Sequence, residues 1–106
     1  MLFRSRSTLL AGSALAIAFA GAAHAQNQPF KLGQMVAMSG PGAILGVAVS
    51  TGVNLAVKEI NASGGILKRN VVVVVGDTKG DPTAAGAEAR RLAFVDKVDA
   101  VVGPLI

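Results

Sequence analysis

A chain of 106 residues holds one small domain, and its composition removes several functions at the outset. There is no cysteine, hence no disulfide, no thiolate nucleophile and no acceptor for a bacterial lipid anchor. The formal charge of +4 falls to +2 once Arg4 and Arg6 are assigned to a leader, and the remaining cations are scattered without interleaved aromatics, which argues against a nucleic-acid surface.

The leader is read from its pattern. Arg4 and Arg6 form a positive start, LLAGSALAIAFAGA is an apolar run short for a membrane span, and Ala23-His24-Ala25 is a small-x-small cleavage site. Residues 1–25 are therefore expected to be a signal peptide, with Gln26 opening the mature chain. The alternative is an uncleaved anchor helix over residues 8–22. Ser5 separates the two arginines, so the twin-arginine signature is absent and the general secretory route to the periplasm is expected. Cleavage also removes His24, the one histidine, and leaves no membrane span among the remaining 81 residues.

Residues 26–29 are a polar lead without periodicity. From Phe30 the pattern turns apolar through Leu32, Met35, Val36, Ala37 and Met38, which predicts a strand that Ser39-Gly40-Pro41-Gly42 interrupts. Val49, Val53, Ala56, Val57 and Ile60 then fall on one helical face, with Ser50, Asn54, Lys58 and Asn61 opposite. Gly52 inside this helix is explained by a close approach to the sheet or a neighbouring helix. Ser63-Gly64-Gly65 supplies the positive φ that ends the helix. Val71 to Val75, five β-branched residues without alternation, predicts a parallel strand covered by helices on both faces.

Asp77 ends that strand, and Asp81-Pro82 reads as the N-cap and first residue of a second helix. Ala85, Ala89, Leu92 and Ala93 share its buried face, while Glu88 pairs with Arg91 outside. Ala100 to Val102 begins a third strand, closed by Gly103-Pro104. The fold class is α/β: a partial doubly wound parallel sheet of order β-α-β-α-β, spanning residues 30–106 and expected to be the start of a larger domain.

In such sheets small molecules bind at the carboxyl ends of the strands, which directs attention to residues 39–46. Counting tests the nucleotide motifs. From Gly40 and Gly42 the third glycine of a dinucleotide fingerprint should stand at Leu45 but comes one place late, at Gly46. Gly46 is followed by Val47 and Ala48 rather than Lys-Ser/Thr, so there is no phosphate loop. No G-x-S-x-G frame surrounds Ser39, and the mature chain has no imidazole, so no catalytic residue, metal site or cofactor is expected. Asp77 and Asp81 could suggest a cation site, but a turn former and an N-cap account for them. Binding remains. Small residues leading into a helix amino end present backbone N–H groups to an anionic group, and Leu45 is either an apolar wall for a ligand or a staple against its own helix.

The pieces KLGQMVAMSGP, Gly46, TGVNLAVKEINASGGI, GDTKGDP, AGAEARRLAFVDKVDA and VVGP, in this order and spacing, resemble the amino-terminal part of the substrate-binding proteins of branched-chain amino-acid ABC transporters. The resemblance implies the type I periplasmic binding fold, in which two lobes close on a solute, with this chain as an incomplete first lobe. It implies a small amino-acid or amide ligand, delivery to an inner-membrane ABC permease, and no enzymatic activity. Ser39, Gly40, Leu45 and Gly46 correspond to the first cleft loop, and Gly103 and Pro104 to the end of the third strand. Leu45 stands where many relatives place a ligand-contacting side chain, commonly aromatic. In the family a serine-rich stretch and a second lobe follow, so the 106-residue chain is expected to bind poorly or not at all alone. The other readings are a ligand-binding lobe of a sensory receptor or amide-responsive regulator, and a dinucleotide-binding half-domain of an oxidoreductase.

Overall fold

The computed structural model describes residues 28–105, so the signal-peptide reading lies outside the described residues. Strands β1 (Phe30–Val36), β2 (Val71–Asp77) and β3 (Ala100–Val102) form one parallel sheet of order β2-β1-β3. Helix α1 (Ala43–Ala62) joins β1 to β2, and α2 (Pro82–Arg90), extended by a π-helical turn over Arg91–Val95, joins β2 to β3. This is the expected α/β order. The two crossovers lie on opposite faces: adjacent residues of β1 point opposite ways, and Gln34 meets α1 while Gly33 lies under Leu92 beyond α2.

The central strand is β1, and it carries the buried run. Gly33 to Ala37 are all buried, whereas Val72 is 46% and Val75 42% exposed. The expectation that Val71–Val75 is covered on both faces is corrected. Among the described residues β2 is an edge strand, and Val72 and Val75, three apart, lie on opposite faces, so each face leaves one valine half-covered.

Helix α1 also sits differently from its apolar periodicity. Gly46 and Ser50 are buried, Val49, Val53, Val57 and Asn61 are partly covered, and Ala56 and Ile60 are exposed. Polar contacts set this rotation. Gln34 Nε2 donates to Ser50 Oγ at 3.1 Å, and Asn61 both accepts from the Val71 amide at 2.7 Å and donates to its carbonyl at 3.0 Å. Ser50 and Asn61 therefore face the sheet, not solvent. Gly52 is corrected as well, because a Cβ there would meet nothing within 4 Å. The close approach occurs at Gly46, where a Cβ would collide with the Ala37 carbonyl.

By length and apolar composition α1 could cross a membrane, but it packs on the sheet through Gly46 and Ser50. It ends as expected, with Gly64 and Gly65 at φ of 105° and 80° and the Gly65 amide on the Ile60 carbonyl at 2.9 Å.

The start of α2 is also as expected: Pro82 is its first residue and the Asp81 carboxylate accepts from the Ala84 amide at 2.8 Å. Beyond Arg90 the π-helical turn shifts the phase, so Leu92 is fully buried while Ala93 is exposed. Leu92 Cδ1 rests over two glycines, 3.3 Å from where a Cβ of Gly33 would lie and 3.2 Å from that of Gly76. Arg91 clamps this corner, paired with Glu88 and Asp96 and donating to the Val75 carbonyl at 2.9 Å.

Candidate functional site

A parallel register brings the carboxyl ends of all three strands to one rim. There the β1–α1 loop, the β2–α2 loop and the segment after β3 converge around a pocket of about 230 Å³. Ala37, Pro41, Gly42, Leu45 and Gly46 line one side, Lys79 and Gly80 another, and Leu105 the third. Two further hollows adjoin it. One, of about 230 Å³, lies between α1 and β3 against Val49, Val53, Val102 and Pro104; the other, of about 340 Å³, lies at Gly80, Asp81, Pro82, Ala85 and Pro104.

The six residues singled out in the sequence all reach this rim, but in different roles. Leu45 is 54% exposed and lines the pocket, which makes it a wall rather than a packed staple. Gly40 has φ of 78°, and a Cβ there would lie 3.0 Å from the Lys79 carbonyl oxygen, so the two loops approach backbone to backbone. Gly46 lines the pocket, yet its bare Cα is required by the Ala37 carbonyl behind it. Gly103, at φ of 101°, is likewise required by the Met35 carbonyl; it and Pro104 line the neighbouring hollows instead of the central pocket. Ser39 donates its hydroxyl to Asp77 Oδ2 at 2.7 Å.

The idea that this rim freely offers amide hydrogens is narrowed by the structure. The Ala43 amide is given to the Gly40 carbonyl at 3.2 Å, and the amides of Leu45 and Gly46 to that of Gly42 at 3.1 Å. The loop thus satisfies part of the helix start itself, as orphan N–H groups require.

Sequence reasoning missed Lys79 and Leu105 as walls, and took Asp77 for a turn former in preference to a cation ligand. That reading of Asp77 holds, since Oδ1 accepts from the Lys79 amide at 2.9 Å. The same oxygen also accepts from the Met38 amide at 2.9 Å. Ser39, then the Lys79 and Met38 amides, stabilise the ionised form and lower the Asp77 pKa from 3.8 to about 2. Among the described residues no three His, Cys, Asp or Glu side chains gather as a metal site. A mostly apolar hollow with a lysine on its wall suits a small, partly aliphatic solute.

Comparison with known proteins agrees with this geometry. A family model described as "Periplasmic binding protein" matches residues 29–106. A Leu/Ile/Val-binding protein homolog 7 of Brucella suis is 42% identical over 89 residues, covering 84% of this chain and 22% of the relative. The isoleucine complex of the branched-chain amino acid transporter substrate-binding protein LivJ from Streptococcus pneumoniae superimposes with a TM-score of 0.69 at 40% identity, over 73% of this chain and 22% of that one. A putative branched-chain amino acid ABC transporter from Silicibacter pomeroyi gives 0.67 at 32% identity, over 70% of this chain and 19% of that one. The chain thus spans about a fifth of the length of these proteins. Its sheet and crossovers are those of type I periplasmic binding proteins, and the chain belongs to the periplasmic binding protein family.

Proposed function

We propose that this chain supplies one wall of the solute cleft of an ABC-transporter substrate-binding protein for branched-chain amino acids or a related amide. The observation that carries this reading is the pocket at the carboxyl rim, with Leu45, Pro41 and Leu105 as aliphatic walls and Lys79 at its edge. Ser39, Gly40, Leu45, Gly46, Gly103 and Pro104 form this wall: Leu45 faces the solute, and the others shape the backbone around it. In this reading the leader exports the chain to the periplasm, cleavage follows Ala25, and the loaded protein delivers its solute to an inner-membrane permease.

The experiment is a graft. Residues 30–105 replace the matching segment of the Streptococcus pneumoniae isoleucine-binding protein, and isoleucine is titrated calorimetrically. Saturable heat is expected. A chimaera that melts cooperatively but takes up no isoleucine, leucine or valine would refute the assignment. Mass spectrometry of the exported chain should show Gln26 as its first residue.

A further inference from the structure

Asp77 does more than end a strand. Its register partner is Val36, so it stands beside the residues where the β1–α1 loop departs. From there one carboxylate reaches both loops that wall the pocket. Oδ1 takes the Met38 amide from the first loop and the Lys79 amide from the second, each at 2.9 Å, and Oδ2 takes the Ser39 hydroxyl at 2.7 Å. Beside this junction the Thr78 amide donates to the Val36 carbonyl at 3.0 Å, and Gly40 lies against the Lys79 carbonyl. The two loops carry no regular ladder past Val36 and Asp77, so the carboxylate continues their pairing outward to the pocket mouth.

We propose that Asp77 is a positioning residue for the solute pocket: it holds the 38–42 and 78–80 segments at a fixed separation, so that the wall is formed before solute arrives. This deepens, and rests on, the reading of the rim as a solute cleft. Ionised carboxylates hold N–H and O–H donors more strongly than neutral acceptors do, which suits one group to the task. A preformed wall raises apparent affinity in proportion to the population of the competent arrangement.

The test uses Asp77→Ala and Asp77→Asn. In asparagine Oδ1 still accepts both amides, while Nδ2 donates to the Ser39 hydroxyl, which can reverse its role. Backbone nitrogen-15 relaxation of the full chain should show rigid amides, with order parameters about 0.85, in both loops of the wild type and of Asp77→Asn. Asp77→Ala should drop both loops together below about 0.6, with the β1 amides unchanged. In the chimaera, Asp77→Ala should raise the isoleucine Kd about tenfold, as when the competent population falls to about a tenth, and Asp77→Asn should recover most of it. Rigid loops in Asp77→Ala, or loosening confined to Lys79 and Gly80, would overturn the proposal. A wild-type chimaera that fails to bind would instead count against the cleft reading, while the relaxation data would still judge the clamp.

Discussion

Gly46→Ala and Gly52→Ala add the same methyl group to one helix six positions apart, and the structure predicts opposite outcomes. At position 52 the helix is open to solvent and a Cβ meets nothing within 4 Å. Only the intrinsic preference remains, and alanine is favoured there by about 0.8–1 kcal/mol. For a domain of this size that corresponds to a rise in Tm of about 4–8 °C. At position 46 the new methyl would overlap the Ala37 carbonyl oxygen and lie 3.2 Å from Val36 Cγ2. The oxygen belongs to the backbone of the central strand's exit and no rotamer change moves it, so α1 must retreat by more than an ångström. Overpacking of this kind costs about 3 kcal/mol, and the helix gain of less than 1 kcal/mol does not offset it. Urea unfolding followed by circular dichroism, fitted to a two-state transition, should give midpoints on opposite sides of the wild type. Equal midpoints for the two variants, or a neutral Gly46→Ala, would refute the assignment of the helix–sheet contact to Gly46.

Three other outcomes follow from the same geometry. Because its pKa is lowered from 3.8 to about 2, Asp77 contributes a stabilisation that is complete above about pH 5 and is lost as pH falls through 3.8 towards 2. The Tm advantage of the wild type over Asp77→Asn should therefore be constant above about pH 5 and shrink below it, and an unchanged difference through that window would contradict the carboxylate's role. Gln34 is 1% exposed with Oε1 unpartnered, so Gln34→Met with Ser50→Ala, which removes both polar partners, should stabilise by about 1 kcal/mol in urea titration. Ser50→Ala alone strands Gln34 Nε2 and should destabilise by about 1–3 kcal/mol. Arg91→Lys replaces a fork serving Glu88, Asp96 and the Val75 carbonyl with a single ammonium. With Arg91 side-chain exposure of 39%, the loss should be about 0.5–1 kcal/mol and smaller in 1 M salt, read by thermal melts.

Where the chain signals with backbone chemistry, the sequence was legible. Asp81-Pro82 and Ser63-Gly64-Gly65 set helix ends because capping and positive φ are local demands, and both ends fall where expected. Glu88 and Arg91 met because their spacing alone places them together. The rotation of α1 was less legible, for a physical reason. Val49, Val53, Ala56, Val57 and Ile60 form an apolar face, but Val47, Ala48 and Leu55 carry apolar surface beyond it, so the pattern alone does not fix which side meets the sheet. The orientation is decided by Ser50 and Asn61, whose partners are a buried glutamine 16 residues back and a strand backbone 10 residues on, on elements whose placement the helix pattern does not encode. The valine run misled similarly, because burial depends on strand order, and β1 rather than β2 occupies the centre. Asp77 could be recognised as a turn former from its neighbours, but the Met38 amide and Ser39 hydroxyl it also holds lie 39 and 38 residues away.

At the rim, residues required by the fold can be separated from those free to meet a solute. Gly46 and Gly103 each lie against a carbonyl of the β1 strand or its exit, and any side chain there would displace backbone whether or not a ligand is bound. Their identity therefore reports on packing and says little about what the pocket takes. Leu45, Lys79 and Leu105 are exposed and line the pocket, and no side-chain hydrogen bond or ion pair is formed by them among the described residues. A change at Leu45 can alter the pocket's shape while the sheet stays intact, since the contact of α1 with β1 runs through Gly46 and Ser50 on another side of the helix. Substituting an aromatic at Leu45 should thus shift the preference among aliphatic solutes in the chimaera at nearly constant Tm. Substituting Gly46 should lower Tm first, with any loss of binding following from that.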